Sequence, residues 1–337
     1  MRATIKDIAR ETGLSVSTVS LALSDKRSRV SPVTKQRVRA VAERMEYRPN
    51  QLASGLITRK TRLLGLVQPD LSNFFHAKMA KGAGYEADSQ NYNLMLFDTD
   101  GDPDKDIQAI NTLLEHRAEG ILLIHSVVGD PSRLSACLKE CRNASTPVVQ
   151  VGRALDYNET NSVVADLELG GYMATKHLLD YGHQRIGCIT GPMVTESTQK
   201  RLTGYRKALQ DHGIPYDSSL IAEGDYMTEC GFKLVAPLIE SNVTAIFAFS
   251  DLMTFGAYQG LRQRKIDVPG RISLIGFDAT YHVPLMDKTI TTVLQPAFDI
   301  GRTSVSKLIK LINHEPVEKK TVFTPELFIG ESTARLT

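Results

Sequence analysis

Of the first 60 residues, 13 are Lys or Arg and 5 are Asp or Glu, a formal charge of +8, whereas the other 277 carry 27 against 33, or −6. Charge segregated this way is the footprint of a nucleic-acid contact. Within the basic stretch, Val16, Ser17 and Leu21 fall on the outward side of a short helical pattern, and their chemistry suits base edges in a major groove. Ser17 donates or accepts a hydrogen bond, while Val16 and Leu21 offer apolar contact, for instance to a thymine methyl. Arg10, Lys26, Arg27, Arg29, Lys35 and Arg37 suit phosphates, which position a protein on DNA without specifying sequence. Direct readout is therefore expected to be modest.

Other reactive groups form no recognisable machinery. The four cysteines, Cys137, Cys141, Cys188 and Cys230, include no C-x-x-C pair, so neither structural zinc nor a disulfide framework is expected. "DTDGDPDKD" at 98–106 alternates carboxylates like a calcium loop, but the Gly and the terminal Glu are not at EF-hand positions, which leaves a solvated turn before a helix. "GAGYEA" at 82–87 lies inside a helical pattern and is a poor dinucleotide fingerprint. His183, in "DYGHQRIG", follows a helix-ending Gly182 and is expected to tie that helix to the next strand, not to catalyse. No Walker loop, G-x-S-x-G elbow or H-E-x-x-H occurs. No metal and no cofactor are expected.

The elements that carry the basic residues can be read from caps and periodicity. Thr4 and Asp7 resemble a capping box, and Ile5, Ile8 and Ala9 give an apolar face that ends at Gly13, so a first helix spans about 5–12. Ser15 caps a second helix with Val19, Ala22 and Leu23 turned inward. Ser31 caps a third, with Pro32 at its first position and Val38, Val41, Ala42 and Met45 as its packing stripe. Two short helices around a tight Gly-containing turn make a helix-turn-helix, completed by the third. The following "YRPNQLASGLITRK" offers Asn50 as a cap and Leu52, Ala53 and Leu56 on one face. It is shorter than the roughly 12–15 residues an isolated helix needs in water, and Gly55 weakens it further.

From residue 62 onward, near-continuous apolar runs ("LLGLVQ", "NLMLFD", "GILLIH", "PVVQVG", "RIGCIT", "AIFAFS", "ISLIGF") alternate with amphipathic stretches near 75–90, 104–117, 168–181, 198–212, 228–241 and 252–265. Buried strands alternating with helices imply parallel sheets covered on both faces, and two sheets fit the count better than one. Several strands end in polar clusters: "PDLSNFF", "DTDGD", "HS", "GR", "GP", "SD" and "DAT". A small polar ligand beyond these strand ends, between two lobes, is the natural expectation. No stretch reaches the roughly 18 apolar residues of a membrane span, and the N-terminus has no apolar signal region, so a cytoplasmic location is expected.

"TIKDIARETGLSVSTVSLAL" followed by "VSPVTKQRVRAVAERMEYRPNQLASGL" resembles the N-terminal signature of the LacI/GalR family of bacterial regulators, and the likeness extends over essentially the whole chain. It implies an all-α helix-turn-helix head over 1–48, a hinge over 49–61, and an α/β two-lobed body of periplasmic-binding-protein type over 62–337. Lobe one would comprise about 62–163 and 293–322, lobe two about 164–292 and 323–337, with crossings near "SVVAD", "TTVLQP" and "FTPELF". The DNA contacts it implies are Thr4, Ser15, Val16, Ser17, Thr18, Leu21 and Arg29 in the head, and Asn50, Ala53 and Leu56 in the hinge. In such proteins the hinge folds as a pair in the minor groove, with the residue at Leu56 wedged into a base step. This chain departs from the common Ala-Arg-Ser-Leu in having Ala53, Ser54, Gly55 and Leu56. The implied effector contacts are Phe74, Phe75, Arg201, Tyr226, Asp251, Asp278 and Gln295, a set suited to a polyol.

The resulting expectation is a ligand-responsive repressor that binds a pseudo-palindromic operator as a homodimer, with a sugar favoured as effector and a nucleoside or purine as the alternative. The competing reading is a cytosolic sugar-processing enzyme, for which Asp251 and Asp278 could be nominated but no reaction is specified. A transport receptor would need an export signal and would not need the basic head.

Overall fold

The computed structural model describes residues 3–23, 29–47, 60–126, 131–153, 160–278 and 288–336. The chain divides into Met1–Thr61 and Arg62–Thr337. In the first unit, α1 (Ile5–Thr12), α2 (Val16–Leu23) and α3 (Pro32–Arg44) follow one another. Asp7 starts α1 by accepting from the backbone N–H of Thr4 at 2.9 Å and from its hydroxyl at 2.6 Å, and Gly13 ends it at φ 65°. Ser15 Oγ accepts the Thr18 N–H at 3.1 Å, and Ser31 Oγ the Thr34 N–H at 3.2 Å, so the three predicted starts are observed. Ile8, Ala9, Val19, Ala22, Val38 and Ala42 close one small core.

In the second unit, one sheet contains β1 (Leu63–Gln68), β2 (Asn93–Asp98), β3 (Gly120–Leu123), β4 (Val148–Val151), β5 (Asn161–Ala165) and β11 (Lys320–Phe323), all parallel, in the order β11-β5-β4-β3-β1-β2. The other contains β6 (Ile186–Thr190), β7 (Ile221–Glu223), β8 (Ala245–Ala248), β9 (Ser273–Asp278), β10 (Thr291–Leu294) and β12 (Glu326–Phe328), in the order β12-β10-β9-β8-β6-β7. Both sheets are parallel as expected, except that the edge strand β12 runs antiparallel to β10.

Continuous apolar strands are explained by burial on both faces. Leu64 and Leu66 of β1 enter one core, and Val67 enters the other with Ile110, Leu113 and Ile121. Helices α4 (Phe74–Ser89), α5 (Pro103–Glu115), α6 (Pro131–Asn143) and α11 (Ala297–Ile312) accompany the first sheet as lobe one. Helices α7 (Leu167–Asp180), α8 (Glu196–Asp211), α9 (Thr228–Glu240) and α10 (Asp251–Gln263) accompany the second as lobe two. The chain crosses between lobes three times: after β5, after β10 at Gln295–Pro296, and between β11 and β12. β5 runs to Ala165 and β10 to Leu294, so these crossings fall within the "SVVAD" and "TTVLQP" segments.

Close helix approach sets where the lobe-two side chains stand. A Cβ on Gly171 of α7 would overlap the backbone carbonyl of Arg201 in α8, and one on Gly204 would overlap that of Glu168. The acidic run at 98–106 is more than a solvated turn. Asp102 caps α5 by accepting the Asp104 N–H at 2.8 Å, while Asp106 is buried and accepts from Ser126 N–H (2.7 Å), Ser126 Oγ (2.9 Å) and Thr99 Oγ1 (2.7 Å). His183 shares hydrogen bonds with Thr244 Oγ1 and the Ala334 carbonyl, both at 3.0 Å, so it secures the residue before β8 and the C-terminal tail, not the next strand, β6, as expected. Among the described residues no helix is long and apolar enough to cross a membrane, and no cluster of three or more His, Cys, Asp or Glu could hold a metal.

Candidate functional site

Two arrangements carry chemistry, one in each unit. In the head, the hydroxyls of Ser15, Ser17 and Thr18 form a cluster at the start of α2, with Ser15 Oγ at 2.8 Å from each of the other two. Val16 and Leu21 are 42% and 49% exposed, although Val19 and Ala22 of the same helix are buried. A helix that leaves two branched apolar side chains in water beside hydroxyls presents a contact surface, not a packing face. Thr4 and Arg29 are exposed as well. Asn50, Ala53 and Leu56 lie outside the described residues.

In the body, a cavity of about 460 Å³ opens where the strand ends of both lobes meet. Its lining includes Phe75, Arg201, Tyr226, Asp278 and Gln295, five of the seven effector contacts expected. Arg201 lies on α8, Asp278 ends β9, and Gln295 follows β10 at a lobe crossing. Arg201 Nη2 donates to Asp278 Oδ1 at 3.2 Å, and Gln295 Nε2 donates to the same oxygen at 2.6 Å. The guanidinium also stacks over Phe277, 4.1 Å from the ring centroid. Burial pushes the Asp278 carboxyl above its ordinary pKa, and the Arg201 charge and the Gln295 amide act against that rise.

Tyr226 stands across from them, its ring seated against Gly191, where a Cβ would collide with it. Its hydroxyl shares hydrogen bonds with Thr198 Oγ1 (2.7 Å) and Ser197 Oγ (3.1 Å). Burial alone would raise the phenol's pKa, but the guanidiniums of Arg201 and Arg153 reverse the direction and lower it. Tyr226 and Asp278 sit at φ 70° and 97°, left-handed values that side chains other than glycine seldom adopt.

Two expectations need correction. Phe74 is 37% exposed and does not line the cavity; successive helical residues are separated by about 100° around the axis, so only Phe75 of the pair turns inward. Asp251 does not line it either. As the first residue of α10 it reaches the site through its backbone N–H, which bonds the Asp278 carboxylate, while the capping Ser250 lines the wall.

The expected set omits several residues. Arg153, His76, Asn73 and Ser197 all line the cavity. Arg153 follows β4, donates through Nη1 to the His125 carbonyl at 3.4 Å, and lies over the Tyr226 ring at 5.8 Å from its centroid. His76 Nδ1 bonds the Asp70 carbonyl at 3.1 Å. Burial, assisted by the Arg153 charge, lowers the His76 pKa to about 4, and burial lowers that of His125 to about 4. Both imidazoles are therefore neutral at ordinary pH. The polar clusters "GR" and "PDLSNFF" at strand ends were signals for Arg153 and Asn73, whereas Ser197 inside a helical turn gave none.

The comparisons with known proteins agree with this architecture. Residues 4–50 match the family described as "Bacterial regulatory proteins, lacI family", and residues 61–332 match "Periplasmic binding proteins and sugar binding domain of LacI family". The chain belongs to the LacI family, and it is a DNA-binding transcription regulator, not an enzyme. It is 34% identical to catabolite control protein A of Priestia megaterium over 328 residues, covering 96% of this chain and 97% of that one. It is 32% identical to the HTH-type transcriptional repressor PurR of Aliivibrio salmonicida, covering 99% of this chain and 100% of that one. Among solved structures, the lac repressor dimer bound to operator and the anti-inducer ONPF superimposes with a TM-score of 0.90 at 25% identity, covering 99% and 100% of the two chains. A LacI family regulator from Enterococcus faecium with bound ribose gives 0.74 at 26% identity, covering 82% and 100%.

Proposed function

We propose that this regulator is a cytoplasmic repressor that binds a pseudo-palindromic operator as a C2 dimer, and that a small polyol held between the lobes sets its affinity for that operator. In this reading, residues 1–48 place α2 in the major groove, 49–61 form the hinge, and 62–337 bind the effector and dimerise. Thr4, Ser15, Val16, Ser17, Thr18, Leu21 and Arg29 contact DNA from the head, joined by Asn50, Ala53 and Leu56 from the hinge. Phe75, Arg201, Tyr226, Asp278 and Gln295 hold the effector. The observation that carries the reading is Gln295: one residue bonds the buried Asp278 and also begins a lobe crossing. A ligand that competes for Asp278 therefore acts directly on a connection between the lobes. The ribose bound to the Enterococcus regulator favours a sugar, while the relative named PurR keeps a purine as the alternative.

The test is retention of DNA from the gene's own upstream region by the full chain, with and without sugars and nucleosides. The proposal predicts saturable retention that at least one compound shifts. If no compound shifts it, ligand control is lost; if no fragment is retained at low salt, the whole reading is lost.

A further inference from the structure

The charges that face the interior of the cavity do not balance. Arg201 is paired with Asp278, and that single carboxylate oxygen is shared with Gln295. Arg153 has no carboxylate partner among the described residues; its contacts are the His125 carbonyl and the Tyr226 ring. Arg201 is only 5% exposed, yet its Nε has no hydrogen-bond partner among the described residues. The other carboxylates of the lining already have donors. Asp70 accepts from the Ser72 N–H and hydroxyl, Asp100 pairs with Lys105, and Asp225 accepts the Met227 N–H. Asp100 and Asp225 are moreover exposed, where water and salt screen them. Among the described lining residues, two guanidiniums thus face one inward carboxylate; the buried Asp106 also attracts Arg153 from behind the wall, but its oxygens are taken by Ser126 and Thr99.

A guanidinium is a fork of donors matched to an oxyanion, and sheltering one from water without a counter-charge is costly. Arg153 belongs to lobe one, because it follows β4, and Arg201 to lobe two. Both are close enough to Tyr226 to lower its pKa. Resting on the ligand-controlled reading above, we propose that the effector is an anionic polyol whose oxyanion bridges Arg153 of lobe one and Arg201 of lobe two, while its hydroxyls meet Asp278, Gln295 and Asn73. The anion is then the closing contact between lobes, and Arg153 is the residue that makes the site select acids over neutral sugars. A carboxylate and a phosphate monoester share this chemistry.

The test is calorimetric titration of the full-length protein with D-glucose and D-ribose as neutral probes, D-gluconate and D-glucuronate as carboxylates, and D-glucose 6-phosphate as the phosphate ester. At least one anionic probe is expected to bind about tenfold or more tighter than the neutral ones, as loss of a charge-assisted hydrogen bond implies. The carboxylate and phosphate arms then identify the source of the oxyanion. Arg153→Gln should erase the preference, and Arg153→Lys, which keeps the charge but loses the fork, should restore part of it. Neutral probes that bind as well as the acids would overturn the inference and leave ligand control standing, as would an anion preference that survives in Arg153→Gln. If no probe of either class bound, the inference would fail, whereas ligand control would fail only if the nucleosides too left DNA retention unchanged.

Discussion

On the lobe-two wall of the cavity the principal cation is bonded to a carboxylate, whereas on the lobe-one wall the principal cation bonds only a backbone carbonyl among the described residues. Arg201, Asp278 and Gln295 form a hydrogen-bonded set stacked on Phe277, and Tyr226 is held by two hydroxyls. Opposite them, Arg153 touches a carbonyl and a ring face, and His76 and His125 are kept neutral. The difference suggests a division of labour: one wall is pre-organised to orient a ligand, and the other waits to be completed by it.

Four perturbations separate the walls. The largest expected effect is that of Asp278→Asn, which leaves Arg201 buried without its counter-charge; a loss of about 3–5 kcal/mol is expected in urea unfolding of the full chain. The second is acid lability of the lobe-one wall. Because the two histidines have folded pKa values near 4, below the ordinary 6.5, the unfolded state binds more protons between those values, so stability is complete above about pH 6.5 and falls as pH drops toward 4. By pH 5 each histidine should remove about 2 kcal/mol, and denaturant melts of His125→Asn at pH 7.5 and 5.0 should show a shallower loss than the parent.

Gly171→Ala comes third. The added Cβ meets the Arg201 backbone and must push α7 and α8 apart, an overpacking that costs about 1–3 kcal/mol and moves the Arg201 side chain off Asp278. Ligand affinity should fall with stability, whereas Gly84→Ala on α4, where a Cβ meets nothing, should leave affinity unchanged and raise stability by about 1 kcal/mol or less. The smallest expected effect belongs to Arg153→Gln. Removing a charge with no carboxylate bonded to it among the described residues should leave stability within about 1 kcal/mol of the parent, in contrast to Asp278→Asn, and should also weaken the acid lability of His76 and His125. A destabilisation as large as that of Asp278→Asn would mean that the walls are equivalent.

Much of this frame could be read from the sequence. The starts of α1 and α3 are local events, a carboxylate three residues from its cap or a Ser before a Pro, and local patterns report them. The continuous apolar runs of β1, β8 and β9 follow from burial on both faces. The antiparallel β12 was not legible, because its direction depends on which strand it meets. At the site, the family resemblance carried Arg201, Asp278 and Gln295, but it could not say which of two adjacent phenylalanines turns inward. Nor could it say that Asp251 acts through its backbone. Arg153 was marked only as part of the strand-end "GR": an arginine after a strand usually reaches solvent, and only the meeting of two lobes places this one beside Tyr226.

The central claim is that a ligand between the two walls and DNA at the head control one equilibrium. Thermodynamic linkage then requires that the factor by which ligand changes operator affinity equal the factor by which operator changes ligand affinity. The direct measurement is ligand affinity of the full chain, free and saturated with its operator, for the compound that shifts DNA retention. The account predicts a difference of about 5-fold to 150-fold between the two states, matched by the reciprocal change in operator affinity. Identical ligand affinity on and off the operator would contradict it.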